Sequence, residues 1–411
     1  MSCKKGENLD KLRETNRSLI LQILARTNQC TRVMLSEKTG LKQATITKIV
    51  NTLIEKGIVR ECGNINGRVG RRAIALELNA ARYKVISVSL SRQSYALGVF
   101  DLLGQGSQVL RESLSMEEPV TDILDRIISS IRSVLACHND IYAIGMAIPG
   151  PFLSKSGTIA LMTGRQEWND IDLTHTLASQ FDIPVYLAHD ANAGALAELH
   201  WGNHNLTDKH HVLVHLLAKD GIGAGILCDE KLFTGSKGIA GELGHMSINS
   251  EGPLCSCGNH GCLECYCSSL AFTKHVTEEL RNHPESSLNQ LSHLTVDDIF
   301  DAMEQGDPFA IAQVKRVGYY FGCGIVNAIN LYDPDVLVIS GHMIRGGAIM
   351  MDEIWATVQK RIMPKLLEGV KICYTTIQND QLLRGAAAVA ISELLNNSQL
   401  LIGEPEPGLS E

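Results

Sequence analysis

The chain has 411 residues, 45% of them hydrophobic and 20% charged, which is an ordinary globular composition and too long for one ordinary core. No apolar run approaches the roughly 18–20 residues of a bilayer span, and the polar stretch from Met1 to Asp10 lacks a signal-peptide apolar region, so a membrane role is not expected and a cytoplasmic address is. The net charge of −8 hides an asymmetry, because residues 1–80 hold 15 Lys+Arg against 7 Asp+Glu while the remainder is acidic; a polyanion partner suits the first part and a small ligand the second.

In chain order, Leu19, Ile20, Ile23 and Leu24 give one amphipathic helical face. A short segment from Val33 to Thr39 then reaches Gly40, suited to a tight inter-helix turn. Ile46, Ile49, Val50, Leu53 and Ile54 recur at helical spacing up to Gly57, a residue type that ends helices. Helix, turn and helix form the minimal DNA-reading unit. The second helix opens with Lys42, Gln43, Ala44, Thr45, Thr47 and Lys48, short polar or basic side chains at the end where base edges and phosphates are met. Ile58 and Val59, a loop from Cys62 to Val69, and Ala73 to Leu78 predict a β-wing, with Arg68, Arg71 and Arg72 at its tip for phosphates or the minor groove. The alternative, a helical subdomain packed on the body, accounts for neither the charge nor the wing.

From Tyr83 the pattern changes to strands. Val85 to Leu90 and Tyr95 to Phe100 read as a hairpin, Ile123 to Leu135 as a helix, and Ile141 to Ile148 as a buried strand ending at Pro149-Gly150. Val185 to Leu187 is a short strand leading to His189-Asp190, and Ala191 to Leu199 continues as a helix. Val212 to Leu217 forms another strand before a glycine-rich turn from Gly221 to Gly225. Alternating strands and helices imply an α/β body.

Five of the 12 cysteines fall between Cys255 and Cys267, a density that reads as metal binding before disulfides in a cytosolic chain. His245, Cys255, Cys257 and Cys262 make a closed imidazole-and-thiolate set suited to one structural zinc, and Gly258 and Gly261 let the loop turn tightly. Cys265 and Cys267 remain rival ligands. Glu242 lies three residues before His245, on one face if that segment is helical, and Glu264 follows the last ligand closely. Such a grouping suits sugar hydroxyls, and the second nitrogen of a metal-bound His245 is free to donate to a ligand.

Together these motifs resemble the ROK family of repressors, open reading frames and kinases, in particular its regulator branch of glucose-, N-acetylglucosamine- and xylose-type repressors. The resemblance runs from about Asn16 to about Glu393, and it is carried by Ser36 to Gly57, Gly70-Arg71-Arg72, Ala147 to Gly150, His189 to Ala193, Gly221 to Gly225, Gly241 to His245 and the cysteine loop. It implies a winged helix-turn-helix at 1–80 and an actin-like, sugar-kinase body of two α/β lobes. The first lobe spans 81–193 with about 381–395, the second 194–380 with the zinc loop and dimerisation helices, and 396–411 form a flexible tail. By the same resemblance Glu242, His245 and Glu264 match sugar ligands in a cleft between the lobes. Asp190 matches the general base of the kinases, and Asn192 and Gly150 lie near the pocket. The family zinc ligands map onto His245, Cys255, Cys257 and Cys262.

Departures from the family pattern separate sensor from enzyme. Ser89 to Gln93 stand where the kinases carry an Asp-x-Gly-Gly-Thr type phosphate loop, and Lys219-Asp220 precede Gly221 where a Gly-Thr pair is usual. A carboxylate there repels ATP, and bulky side chains block backbone approach to phosphate. His189 also replaces the usual Asn, so Asp190 is expected to accept from a sugar hydroxyl without catalysing. The expected function is a sugar-responsive repressor of carbohydrate-utilisation genes, including xylose metabolism, acting as a homodimer or homotetramer on double-stranded operator DNA. The alternative is an active kinase phosphorylating a hexose with ATP, with Asp190 catalytic; a regulator answering to a protein partner is the third reading.

Overall fold

The computed structural model describes residues 9–66, 72–160, 165–204, 211–377 and 380–403. The chain forms two compact units, one of Met1–Ile148, Asp172–Ala188 and Leu382–Glu411, the other of Pro149–Ile171 and His189–Gln381.

Unit 1 opens with helices α1 (Leu9–Thr27), α2 (Arg32–Thr39) and α3 (Gln43–Glu55), followed by the antiparallel hairpin β1 (Val59–Asn66) and β2 (Arg72–Leu78). Thr31 starts α2 by accepting from the Met34 N–H, a side-chain cap for an otherwise orphaned donor. Ile46, Val50 and Leu53 of α3 recur at helical spacing and are fully buried, as are Ile20, Leu21 and Leu24 of α1 and Leu35 of α2. The predicted wing is present, but β1 runs through Cys62 to Asn66, because cross-strand pairing continues past a bulge between Glu61 and Asn64. Residues 67–71 lie outside the described residues.

The first body sheet contains β3 (Lys84–Leu90), β4 (Ser94–Asp101), β5 (Gly106–Ser113) and β6 (Ile141–Ile148), with helix α4 (Val120–Cys137) between the last two. Strands β7 (Phe152–Leu153) and β8 (Thr158–Ile159) belong to unit 2; helix α5 (Leu173–Ala178) and strand β9 (Val185–His189) follow. The strand order is β5-β4-β3-β6-β9, with β3 antiparallel to β4 and parallel to β6.

Unit 2 contains α6 (Asp190–Trp201), β10 (Val212–Ala218), β11 (Ile222–Cys228), β12 (Lys231–Leu232), α7 (Glu264–Cys267), α8 (Ser269–Glu279) and α9 (Val296–Glu304). It continues with α10 (Pro308–Tyr332), β13 (Val336–Ser340), α11 (Gly347–Arg361), α12 (Pro364–Leu367) and β14 (Lys371–Tyr374). Its sheet order is β12-β11-β10-β13-β14, and β10 is antiparallel to β11 and parallel to β13. Each sheet is thus an antiparallel meander on one side of a central strand and parallel pairing on the other, the repeated half of an actin-like fold. Phe309, Val314, Phe321 and Ile325 of α10 join Met350, Ile354 and Val358 of α11 over Leu216 and Ile226 to form its core.

The last helices, α13 (Gln381–Asn396) and α14 (Gln399–Ile402), return the chain to unit 1. Glu14, Ser18 and Gln22, one face of α1 at four-residue spacing, meet the end of α13. Ser18 Oγ donates to the Asn396 carbonyl at 2.6 Å, Gln22 Nε2 donates to Asn396 Oδ1 at 2.5 Å, and Ser398 Oγ donates to Glu14 Oε1 at 2.8 Å. Residues 396–403, expected in the flexible tail, are therefore packed structure with Ser398, Leu401 and Ile402 buried. Residues 404–411 of that tail lie outside the described residues. Residues 149–171 and 189–193 group with unit 2, in which α6 packs on β10 and β11. Among the described residues no helix is long and apolar enough to cross a membrane.

Candidate functional site

The reading helix α3 starts at Lys42, whose carbonyl accepts from the Thr45 and Ile46 N–H groups. Its apolar stripe faces inward, which leaves Lys42, Gln43, Thr45, Thr47 and Lys48 all exposed. Ala44 and Asn51 are exposed as well. Arg32 of α2 donates to Asn51 Oδ1 at 3.3 Å and to Glu61 of β1 at 3.0 Å, tying the reading helix to the wing. Of the expected wing arginines, Arg68 and Arg71 lie outside the described residues, and Arg72 opens β2.

The second group is assembled on β11. The glycine run expected as a turn from Gly221 to Gly225 is strand from Ile222 onward, and only Lys219 to Gly221 form the turn. Two glycines explain why. A Cβ at Gly225 would lie 2.3 Å from the Ala191 carbonyl, and one at Gly241, where φ is +100°, would lie 2.1 Å from the Ala224 carbonyl. The absent side chains let the first turn of α6 and the Gly241–His245 segment close on the two sides of one strand. Asp190 is the first residue of α6, and His189 beside it is buried with Nε2 3.2 Å from Asp190 Oδ1. Glu242 precedes a 3-10 turn, Leu243–His245, in place of the helix that sequence spacing allowed.

Burial raises the Glu242 carboxyl above the ordinary range, while His189 and His245 pull it down and Asp190 and Glu264 push it up. Glu264 opens α7 with Oε1 3.4 Å from His245 Nδ1, and its Oε2 stands 3.3 Å from where a Cβ of Gly221 would be. Four of the expected residues, Asp190, Glu242, His245 and Glu264, are thereby brought together. Asn192, two residues after Asp190 in the first turn of α6, is buried, and its Oδ1 has no hydrogen-bond partner among the described residues. Gly150 adopts φ +77° after β6, and no described contact ties it to this group. Between residues 161 and 172 the structure describes Arg165 onward, and Trp168 there is buried.

His215 is a positioning residue that sequence reading missed. Fully buried, its ring is held neutral by desolvation, with Nδ1 3.0 Å from the Ala191 carbonyl and Nε2 2.7 Å from Ser340 Oγ. It fixes the turn of α6 that carries Asp190 to β10 and β13. The Lys219–Gly221 turn is closed by its own contacts: Lys219 N–H donates to the Gly221 carbonyl, Ser269 Oγ donates to Asp220 Oδ1 at 3.2 Å, and Ser269 N–H donates to the Lys219 carbonyl. In unit 1, Ser91 N–H and Oγ both donate to the Ser94 carbonyl, closing the tight turn between β3 and β4, with Ser89 and Leu90 still in β3.

The ligand atoms of His245, Cys255, Cys257 and Cys262 all lie within 4.8 Å of one another, a set that can hold a metal ion. Cys257 and Cys262 sulfurs are 3.7 Å apart and His245 Nδ1 is 3.6 Å from Cys255 Sγ. Tetrahedral zinc–thiolate bonds of about 2.3 Å place sulfurs about 3.8 Å apart, so the donors fit that geometry. Gly258 and Gly261 have φ of +88° and +66°, as the tight loop requires. Burial pushes the Cys255 thiol up and the Cys262 thiol up to about 11, while hydrogen bonds, among them one with the Asn259 backbone, leave the Cys257 thiol lowered against its own burial. The rival Cys267 is fully buried and donates to the Leu263 carbonyl, and Cys265 falls outside the compact set.

The ROK family profile matches residues 85–393, and a winged helix-turn-helix DNA-binding profile matches residues 13–60. The xylose repressor of Bacillus spizizenii is 27% identical over 390 residues, covering 94% of this chain and 97% of that protein. The DNA-binding transcriptional dual regulator NagC of Escherichia coli is 27% identical over 399 residues, covering 95% of each. Among solved structures, a ROK family transcriptional regulator described as a homologue of the E. coli MLC protein superimposes with a TM-score of 0.80 at 26% identity, over 96% of this chain and 100% of that one. A ROK glucokinase from Streptomyces griseus, solved with glucose and AMPPNP, matches in fold with a TM-score of 0.65 at 23% identity, over 75% of this chain and 99% of that one.

Proposed function

The chain belongs to the ROK family, and from that premise we propose that it is a DNA-binding repressor of carbohydrate-utilisation genes, with a kinase-like body that senses a sugar. The observation that carries this reading is the pairing of an exposed reading helix with an assembled Asp190–Glu242–His245–Glu264 group on β11. The three carboxylates accept from sugar hydroxyls. His245 presents Nε2 to the sugar while Nδ1 faces the sulfurs. Zinc, held by His245, Cys255, Cys257 and Cys262, serves as a structural pin that keeps the imidazole and the Glu264 segment in register.

Phosphoryl transfer depends on positioning and neutralising a phosphate. The turn at Lys219–Gly221 offers Asp220 at that place and is closed by Ser269, so Asp190 serves binding and no catalytic residue is assigned. The xylose repressor and NagC relatives support a repressor over a kinase. A homodimer or homotetramer would set two reading helices on two half-sites of an operator. Sugar releases the operator only by binding the DNA-free state more tightly; a tenfold loss of operator affinity needs about 1.4 kcal/mol of such preference, within reach of a few hydrogen bonds.

The test is a thermal-shift series on the zinc-loaded full chain with monosaccharides, amino sugars and ATP. The expected result is a raised melting temperature with a sugar and none with ATP, since ligands of the folded state stabilise it by mass action. Sugar-dependent ADP formation would instead establish the kinase, and silence with every sugar would leave a protein partner as the signal.

A further inference from the structure

Resting on the reading of α3 as the DNA-reading helix, we infer that Asn51 reads a base and that Arg32 fixes its amide as a hydrogen-bond donor. Each operator half-site then carries a G·C pair beneath Asn51, recognised at the guanine edge. Asn51 shares a helical face with Lys48, Thr47 and Ala44, at intervals of three, four and seven residues, and all four are exposed. Ile46, Val50 and Leu53 face inward and are fully buried. Asn51 therefore stands on the outward stripe of α3, about two turns from Gln43.

The orientation of its amide follows from its neighbour. An amide has an acceptor end and a donor end of nearly equal shape, whereas a guanidinium has donors only. Arg32 Nη2 donates to Asn51 Oδ1 at 3.3 Å, and the same nitrogen pairs with Glu61 Oε1 at 3.0 Å. Turning the amide over would set an N–H group against a donor, so Oδ1 stays toward Arg32 and Nδ2 points away from it. Both anchors of Arg32 are firm pieces of local structure: Thr31 caps α2 just before it, and Glu61 lies in β1. Among the described residues Asn51 Nδ2 donates to nothing.

An unrestrained asparagine pairs with adenine through both ends, Oδ1 accepting from N6 and Nδ2 donating to N7. With Oδ1 turned to Arg32, the adenine N6 donor loses its acceptor. Cytosine presents the same mismatch through its N4 donor, and thymine offers one acceptor beside a methyl group. Guanine presents N7 and O6 side by side, both acceptors, and is the edge that a lone amide donor matches.

The experiment selects operators from random-sequence DNA with the zinc-loaded full chain, Asn51→Ala and Arg32→Met. Affinities for the four base pairs are then measured at the position where the selections differ. The expected result is a G·C pair in the wild-type operator whose preference Asn51→Ala lowers by about tenfold, with the other positions intact. Arg32→Met frees the amide, so A·T gains on G·C at that position. The ratio is read within one variant, so the phosphate attraction lost with the arginine charge cancels. Glu61→Gln loosens Arg32 without altering α3 and is expected to move the ratio the same way, which keeps the test open should Arg32→Met fold poorly. An A·T pair preferred by the wild type, or a ratio unchanged in both Arg32→Met and Glu61→Gln, overturns the fixed orientation. Asn51→Ala weakening all sequences alike, or weakening none, removes Asn51 from base reading and overturns the inference while leaving the DNA-binding reading standing. Selection of no sequence by the wild-type chain overturns that reading itself.

Discussion

Glu242 carries a carboxyl that burial disfavours in its ionised form, with two imidazoles and two other carboxylates acting on it. Such a group is retained at a cost in stability, which fits a binding role better than a structural one. Glu242→Ala is expected to keep operator affinity while weakening the sugar by about 100-fold, the loss of about two charge-assisted hydrogen bonds. Equal release of wild type and variant from DNA by the same sugar would remove Glu242 from the site. His204 and Glu198 are a second titratable pair, with His204 Nε2 2.7 Å from Glu198 and both side chains essentially inaccessible. Thr375 Oγ1 also donates to Glu198. Burial works against a charged ring at His204, but Cys373 and Glu198 outweigh it and raise the pKa from 6.5 to about 9. A raised folded value means that protonated His204 contributes its full stability below about pH 6.5 and loses it as pH climbs through 9. His204→Gln should therefore lower the melting temperature most near pH 6, with the deficit fading by pH 9.5. A deficit constant across that range would show that the ring acts by shape alone.

At the scale of elements, α3 and β11 divide the functions. Among the described residues the Lys48 side chain has no partner that would compete with DNA, whereas Asn51 is already held by Arg32. Lys48→Ala is expected to weaken binding to all DNA sequences alike and to reduce the salt dependence by about one counterion, as for a phosphate contact. Loss confined to one operator sequence would reassign Lys48 to base reading. Much of this level was legible in sequence. Helical spacing of Ile46, Val50 and Leu53 set the orientation of α3, and the thiol spacing set the metal group. What escaped had no local signal. Gly223 and Gly225 read as a turn because glycine composition does not reveal that Ala191, far off in sequence, needs the space above a strand. His215 finds Ser340 at a separation of 125 residues, and Glu198 finds Thr375 at 177, pairings invisible to any window. The long helix α10 was not anticipated because it is buried and apolar on most of its surface, which erases the amphipathic stripe that marks a surface helix.

For the whole molecule, the two sheets repeat one plan, and that repetition was implied by the ROK resemblance before it was visible in strand order. The division of labour follows the charge: a basic amino-terminal module, anchored through Ser18 and Gln22 to the end of α13, and an acidic unit whose carboxylates gather on β11. Neither half alone makes a regulator, since coupling requires that sugar and DNA prefer different states of one chain. The direct measurement of that coupling is fluorescence anisotropy on operator DNA, selected by the zinc-loaded protein from a random-sequence pool, with and without a saturating sugar taken from the thermal-shift series. Operator affinity at least tenfold weaker in the presence of sugar, with no effect of ATP, is the expected result. Operator affinity unchanged by a sugar that demonstrably binds would contradict the sugar-responsive repressor.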